Sequence, residues 1–182
     1  MGYDDVDEYV EQIIVPSAKQ ELLREHYISD NLEDMIEEYS VCSFKKIVVE
    51  KESEALNIIS EATDEDAFDE LMEEYSDDAE DAGMVTINST LDDNLVDILD
   101  ELSAIEEDGV YSSAIKLSDD TYAVVYLYDT DHSNTDEIID TLSSDSDVQE
   151  YIEGIYLKKY NFDVYDSKIK AAIEEISDQY LD

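Results

Sequence analysis

Cysteine, proline, glycine and tryptophan are scarce in this sequence. Its 182 residues include one cysteine, one proline, four glycines and no tryptophan. The single Cys42 excludes an intramolecular disulfide framework, and it does not by itself indicate a redox compartment. A chain of this length can bury a substantial core without disulfides. We therefore expect one domain, or a small domain with helical extensions.

Basic residues are also few. Ten Lys and Arg stand against 52 Asp and Glu, which gives a formal net charge of −42 at pH 7. Nucleic acid is excluded as a partner, because binding it requires clustered Lys and Arg that neutralise phosphates. An anionic membrane surface is disfavoured for the same reason. Repulsion among the acids should weaken the fold at low ionic strength.

Long apolar runs are missing as well. No segment approaches the roughly 18 apolar residues that a membrane-spanning helix needs. The first five residues, MGYDD, are neither a signal peptide nor a lipid-attachment segment, so the sequence as it stands predicts a soluble chain. We expect contact with a membrane only through a lipid anchor that this sequence does not contain.

Motifs for metals, nucleotides and covalent catalysis are equally hard to find. His26 and His132 lie in different segments, and neither has a partner at metal-ligand spacing. Each is interpreted as a surface or helix-end residue. Cys42 is interpreted as a small buried hydrophobic residue. No P-loop, dinucleotide fingerprint or serine nucleophile elbow is present. We expect no cofactor and no metal.

One segment, residues 129–140, partly resembles a calcium-binding loop. Its oxygen-bearing side chains lie near positions 1, 3, 5 and 12 of such a loop: Asp129, Asp131, Ser133 and Asp140. Asn134 stands where the loop needs glycine, and the last ligand is Asp instead of Glu. A weak calcium site in this segment is an alternative that the sequence leaves open.

Hydrophobic residues make up 43% of the chain and follow helix and strand periods, which argues against disorder. The first helix is predicted from the apolar spacing of Val6, Tyr9, Val10, Ile13 and Ile14, with an interruption at Pro16. A second helix follows over 18–27. A third begins after a cap at residues 29–30 and covers 32–39.

A different pattern begins near Val41. Residues 44–49 predict a buried strand, because they are rich in β-branched residues and lack helical spacing. Two helical stripes follow, around Ile58 and around Phe68, separated by a break at residues 63–64. Residues 76–83 are predicted to be an acidic loop, followed by a short extended piece over 84–88.

The rest of the chain is predicted to contain both helices and strands. Leucines at 91, 95, 99 and 102 predict a helix, and residues 110–117 and 121–128 predict an antiparallel hairpin. Residues 136–142, 148–158 and 169–180 predict three helices, with an extended stretch over 161–165. The tyrosines on helical apolar stripes are interpreted as core residues: Tyr9, Tyr39, Tyr75 and Tyr180.

Several of these segments, in this order, resemble the parvulin family of peptidyl-prolyl isomerases. SFKKIVVEKESEA (43–55) resembles the family's first strand and helix, and DAFDELMEEYSDD (66–78) resembles the helix before its glycine loop. DGVYSSAIKLSDDTYAVVYLYD (108–129) is similar to the closing hairpin. The flanking helices resemble those of PrsA-type extracytoplasmic foldases. The resemblance implies an α+β fold in which a parvulin-like domain with a four-stranded antiparallel sheet lies between terminal helical segments that pack together.

The resemblance also implies where catalytic groups would lie. The first-strand histidine of parvulins corresponds to Lys46, the second, after Tyr122, to Ala123, and the acid of the glycine loop to Met84. The apolar floor corresponds most nearly to Leu91 and Leu95. Both histidines are therefore substituted, and no catalytic residue is assigned. The candidates for substrate binding are Leu91, Leu95, Tyr122 and Lys46.

The predicted domains are 1–41, 42–130 and 131–182. The function that the resemblance to PrsA-type foldases implies is that of an extracytoplasmic folding factor. It would bind unfolded polypeptides, mainly as a chaperone, and we expect it at the surface of a Gram-positive cell. Fourteen tyrosines suit a surface for such clients. An isomerase acting on proline-containing polypeptides is the first alternative, and a non-catalytic acidic interaction module is the second. A homodimer is also left open.

Overall fold

The computed structural model describes residues 5–160 and 164–176. These residues form two compact units. The helical unit takes the described residues of Met1–Leu32 and Ile139–Asp182, and the sheet unit takes Glu33–Ile138. The mixed α+β class predicted from the sequence is confirmed. The division into 1–41, 42–130 and 131–182 stays a prediction.

The sheet unit is built on a five-stranded antiparallel sheet. Its strands are β1 (Cys42–Val49), β2 (Ala79–Val85), β3 (Gly109–Val110), β4 (Ile115–Lys116) and β5 (Tyr122–Tyr128). The order across the sheet is β2-β1-β5-β3, and β4 also pairs with β5. Strand β1 is central, with Val48 opposite Ala123 of β5. The first and last predicted strands are therefore neighbours in one sheet, as the parvulin resemblance requires.

Two sequence predictions about this sheet are wrong in detail. The predicted acidic loop over 76–83 is mostly strand, because β2 pairs with β1 from Ala79 onward. Its register shifts opposite Phe44 and Lys45, and Gly83 has a positive φ of 65° there. The predicted strand over 110–117 consists of two short pieces, β3 and β4, so the sheet has five strands instead of four.

Helices cover both faces of the sheet. These are α4 (Glu52–Glu61), α5 (Glu65–Glu74), α6 (Asp93–Val96) and α7 (Leu99–Ser103), while α3 (Leu32–Glu38) precedes β1 in the chain. Asp64 caps α5 by accepting a hydrogen bond from the Ala67 N–H. The single helix predicted around Leu95 is split into α6 and α7, because the backbone of Ile98 leaves the helical region.

Successive side chains of a strand point to opposite faces, so the sheet has two apolar clusters. The α7 cluster contains Phe44, Leu95, Leu99, Leu102 and Ala123, among others. The α5 cluster contains Ile47, Ile58, Phe68 and Val124, among others. Most of these residues are fully buried, so the apolar surface of the sheet is covered on both sides.

The helical unit begins with α1 (Val6–Tyr9), a π-helical turn (Val10–Ile14) and α2 (Val15–Asp30). The predicted interruption at Pro16 is wrong. The helix continues because Pro16 lies in the first turn of α2, where its missing N–H is tolerated, and the π turn carries the backbone past it. The predicted cap at residues 29–30 is also wrong, since α2 continues to Asp30 and Asn31 is its C-cap.

Helices α8 (Thr135–Ser144), α9 (Ser146–Lys159) and α10 (Ser167–Ile176) are the last helices of the described residues. Within the helical unit, α2 packs on α9 through Tyr27, whose ring makes edge contacts with Tyr151 and Tyr156. Residues 161–163 of the predicted extended stretch and 177–180 of the predicted last helix lie outside the described residues.

Candidate functional site

Lys46 lies in the middle of β1, opposite Val125 of β5 and Glu80 of β2. Its ammonium Nζ is 2.9 Å from Glu80 Oε2, and its side chain is 20% exposed. The Asp92 carboxyl has a pKa below its usual range, chiefly because it accepts a hydrogen bond from the Ser118 N–H. The positive charge of Lys46 lowers this pKa further. The position that resembles the first parvulin histidine thus holds a paired ammonium, which can donate hydrogen bonds but not accept one.

Ala123 lies on the same face of the sheet as Lys46. It is fully buried in the α7 cluster. Ala123 pairs directly with Val48, and Lys46 pairs directly with Val125, so Ala123 and Lys46 are diagonal neighbours on the two strands. The two positions that the resemblance assigns to histidines are therefore brought together. Only one of them carries a polar group.

The two leucines assigned to the apolar floor pack on this face as well. Leu95 is 1% exposed and belongs to the α7 cluster, while Leu91 is partly buried and packs against that cluster. A fully buried side chain has no free surface for a ligand, so Leu95 supports the floor from beneath. Of the pair, only Leu91 has a part exposed to solvent.

Tyr122 and Met84 are not brought together with these residues. Tyr122 pairs with Val49 and packs against the α5 cluster, on the opposite face of the sheet. Met84 lies opposite Ser43. It is next to Val85 of the α7 cluster in the strand, so the two side chains lie on opposite faces of the sheet. The predicted set of Leu91, Leu95, Tyr122 and Lys46 is thus divided between two faces.

A cleft of about 340 Å³ lies beside the α7 cluster, between α6 and the segment that joins β3 to β4. Its apolar wall includes Ile98, Ala114 and Ile115, and Tyr111 forms one side. The Tyr111 hydroxyl donates to Glu101 Oε1 at 2.7 Å, and this hydrogen bond is the first cause of its raised pKa. Sequence reasoning missed this cleft, because its two walls are 13 or more residues apart in the chain.

A second cleft, of about 440 Å³, lies between α4 and α5. Glu54, Glu61 and Glu74 line it together with Tyr75. The Tyr75 hydroxyl donates to Glu54 Oε1 at 3.2 Å, and its pKa is raised first by burial and then by that carboxylate. Lys51 also lines this cleft, beside the polar side chains of Ser53 and Asn57.

No group of three metal-binding side chains occurs in residues 5–160 and 164–176. In the calcium-loop segment, Asp131 accepts the Ser133 N–H in a local turn, and Asp140 lies within α8. His132 is in the left-handed region with a φ of 52°, and its Nε2 is 3.0 Å from the Val41 carbonyl oxygen. These contacts give the segment a structural role in holding the start of β1.

The helical unit has the largest group of exposed apolar side chains. Six aliphatic side chains of the N-terminal helical segment are 38 to 75% exposed, with Leu23 next to them at 39%, and we call these six the apolar stripe: Val6, Val10, Ile13, Ile14, Val15 and Leu22. Tyr9, predicted to be a core residue, is 40% exposed, whereas Tyr39 is buried as predicted. Only Ile28 of α2 is buried. The sheet unit has two comparable residues, Leu56 and Ile87.

None of the helices in the described part of the chain combines the length and apolar character needed to cross a bilayer. No family model and no curated protein matches the sequence. Among solved structures, the chain is similar to the foldase protein PrsA from Streptococcus pneumoniae, with 19% identity and a TM-score of 0.38, over 91% of this chain and 67% of that one.

Two further solved structures are similar over most of the chain. A SurA-like chaperone of Campylobacter jejuni is 16% identical with a TM-score of 0.35, over 87% of this chain and 72% of that one. The foldase protein PrsA from Lactococcus lactis is 15% identical with a TM-score of 0.34, over 90% and 65%. The function is argued below from the residues of this chain.

Proposed function

We propose that this protein is an extracytoplasmic folding factor that binds unfolded polypeptides, mainly as a chaperone. The observation that carries the proposal is the apolar stripe on the N-terminal helical segment. Single exposed apolar residues are ordinary on a protein surface, but six within 17 residues of one helical segment are not. Such a surface gains roughly 25 cal/mol for each Å² of apolar area that a bound segment removes from water.

The backbone adds to the breadth of this surface. A regular helix presents apolar residues spaced three and four apart on one narrow face. Here Ile13, Ile14 and Val15, at the end of the π turn over Val10–Ile14, are exposed in succession, as are all the residues from 9 to 23. A client of irregular sequence can therefore meet apolar side chains on more than one side of the segment.

The sheet unit supports the proposal less directly. Prolyl isomerisation must lower a rotation barrier of roughly 18–20 kcal/mol, which requires an apolar pocket and a polar network around the twisted imide. At the parvulin-like positions the polar groups reduce to Lys46, and Glu80 already pairs with it. We therefore assign client binding to the helical unit and a supporting role to the sheet unit.

The place of action and the membrane association are part of the same proposal. The resemblance to PrsA-type foldases favours the outer surface of a Gram-positive cell, with attachment through a lipid anchor. The strong negative charge suits a protein that must stay soluble beside acidic wall polymers, which it repels. Cell fractionation with detection of the protein in the membrane and wall fractions tests this part.

The test is suppression of aggregation of a chemically denatured client at equimolar concentration. The variant Ile13→Ser with Ile14→Ser removes two residues of the apolar stripe. The matched control, Leu56→Ser with Ile87→Ser, removes two similarly exposed residues of the sheet unit. We expect the first variant to lose most of the suppression and the control to keep it. Equal loss of suppression in both variants contradicts the proposal. So does an unmodified protein that does not suppress aggregation at all, and either result favours the acidic interaction module.

The isomerase alternative has its own measurement, a protease-coupled assay on a proline-containing peptide. We expect the rate to equal the uncatalysed rate. Acceleration that is lost in Lys46→Met would instead establish the isomerase and place its polar group at β1.

A further inference from the structure

We infer that the preferred clients are polypeptide segments in which apolar residues alternate with Lys or Arg. This inference rests on the proposed function and names the chemistry of what the apolar stripe binds. It follows from charge complementarity, because the stripe lies on a protein of net charge −42. A bound apolar segment must approach to van der Waals contact, where the charges of both partners decide whether the encounter is favourable.

The charges closest to the stripe in the chain are negative. Between residues 5 and 23 there are five acids and one base, Lys19. Asp7 and Glu11 lie one turn apart in the helical segment, both exposed, and each is next in sequence to a residue of the stripe. A segment that places its apolar residues on Val6 and Val10 brings its own neighbouring side chains close to these two carboxylates.

The same charges decide against two other occupants. A second copy of the chain would bring 42 further negative charges toward the stripe, so self-association through it is opposed at low ionic strength. An anionic lipid surface is opposed for the same reason. An unfolded polypeptide with positive charges between its apolar residues gains both from burial of its apolar side chains on the stripe and from attraction to the carboxylates beside it.

The experiment compares two peptides of equal length and identical apolar residues, one with Lys and one with Glu at the intervening positions. Binding to the full chain is measured by fluorescence anisotropy. We expect the Lys peptide to bind at least about tenfold more tightly at ~0.01 M salt, where the screening length is about 30 Å. The difference should shrink to about twofold or less at ~1 M salt, where that length is about 3 Å.

Two double variants locate the effect. Asp7→Asn with Glu11→Gln should reduce the preference for the Lys peptide by at least about threefold. Its matched control, Glu70→Gln with Glu73→Gln, removes two exposed acids of α5 and should leave the preference unchanged within error. Circular dichroism confirms that each variant keeps its helical content.

The outcomes separate this inference from the proposed function. Binding of both peptides with equal affinity overturns the client class and leaves the chaperone function intact. Binding of neither contradicts the function itself. A preference that changes equally in both double variants shows that the whole surface attracts the peptide, which overturns the assignment to the stripe. Concentration-dependent dimers in sedimentation at low salt, abolished by Ile13→Ser with Ile14→Ser, make a second copy the occupant and overturn the inference.

Discussion

The two units of the molecule treat apolar side chains in opposite ways. The sheet unit buries them in the α7 and α5 clusters on the two faces of its sheet. The helical unit buries Ile28, Leu142, Val148 and Ile152 but leaves the apolar stripe exposed. Burial stabilises a fold, whereas exposed apolar area is available to a partner. In the proposed function, the sheet unit therefore supplies stability and the helical unit supplies the binding surface.

The largest expected effect comes from one substitution made in both units. Ile47 is fully buried in the α5 cluster, and Ile13 is 38% exposed on the apolar stripe. Ile47→Ala should lower the free energy of unfolding by about 2–5 kcal/mol, because it leaves a cavity. Ile13→Ala should change it by no more than about 0.5 kcal/mol. Urea titration followed by circular dichroism measures both, and similar losses would mean that Ile13 is a core residue.

A smaller effect is expected from a partly buried basic residue in each unit. Lys45 Nζ lies 2.9 Å from Glu65 Oε1 and 2.6 Å from Asp69 Oδ1, and these bonds hold its pKa above the usual value despite the opposing effect of burial. Both acids are about half exposed, so solvent screening limits the contribution. Lys45→Met should lower the free energy of unfolding by about 1–2 kcal/mol.

The counterpart in the helical unit is Arg24. It makes one long contact, 3.5 Å from Nη1 to Glu153 Oε1, and its buried Nε has no hydrogen-bond partner among the described residues. Arg24→Met should therefore cost less than about 1 kcal/mol. Thermal denaturation of the two Met variants under the same conditions tests the order, and a larger loss for Arg24→Met would reverse this part of the comparison.

The last effect appears only above pH 9 and is confined to the sheet unit. Burial raises the pKa of the Cys42 thiol from 9.0 to about 12. A raised pKa stabilises the folded state below pH 9, and that stabilisation is lost as the pH rises from 9 toward 12. Cys42→Ala should remove a slope of at most about 1.4 kcal/mol per pH unit above pH 9. Urea midpoints at several pH values, compared between the two proteins, show it; parallel curves would contradict the burial of the thiol.

Much of the sheet unit could be predicted from residues alone. The β-branched run of β1 and the stripes of α4 and α5 indicate buried elements, because burial imposes both the residue type and the spacing. Strand β2 was missed because an edge strand with exposed Glu80 and Asp81 needs no apolar alternation. Its existence depends on pairing with β1, which local sequence does not encode.

The candidate site was harder to predict for two physical reasons. The face on which a strand residue lies depends on the register with its partner, and a phase difference of one residue put Tyr122 on the opposite side from Lys46. The apolar spacing of an amphipathic helix predicts that the helix has an apolar face, but it does not predict which element covers that face. The spacing from Val6 to Ile14 therefore predicted a helix correctly, while the exposure of its apolar side became visible only in the structure.

The most direct test of the central claim is a residue-resolved footprint of a bound client, measured by hydrogen exchange of the full chain with and without an unfolded client. The account predicts slowed exchange over residues 6–23 and unchanged exchange over the strands β1 and β5. Slowed exchange confined to the surroundings of Lys46 or to the cleft at residues 111–116, with none over 6–23, would contradict it.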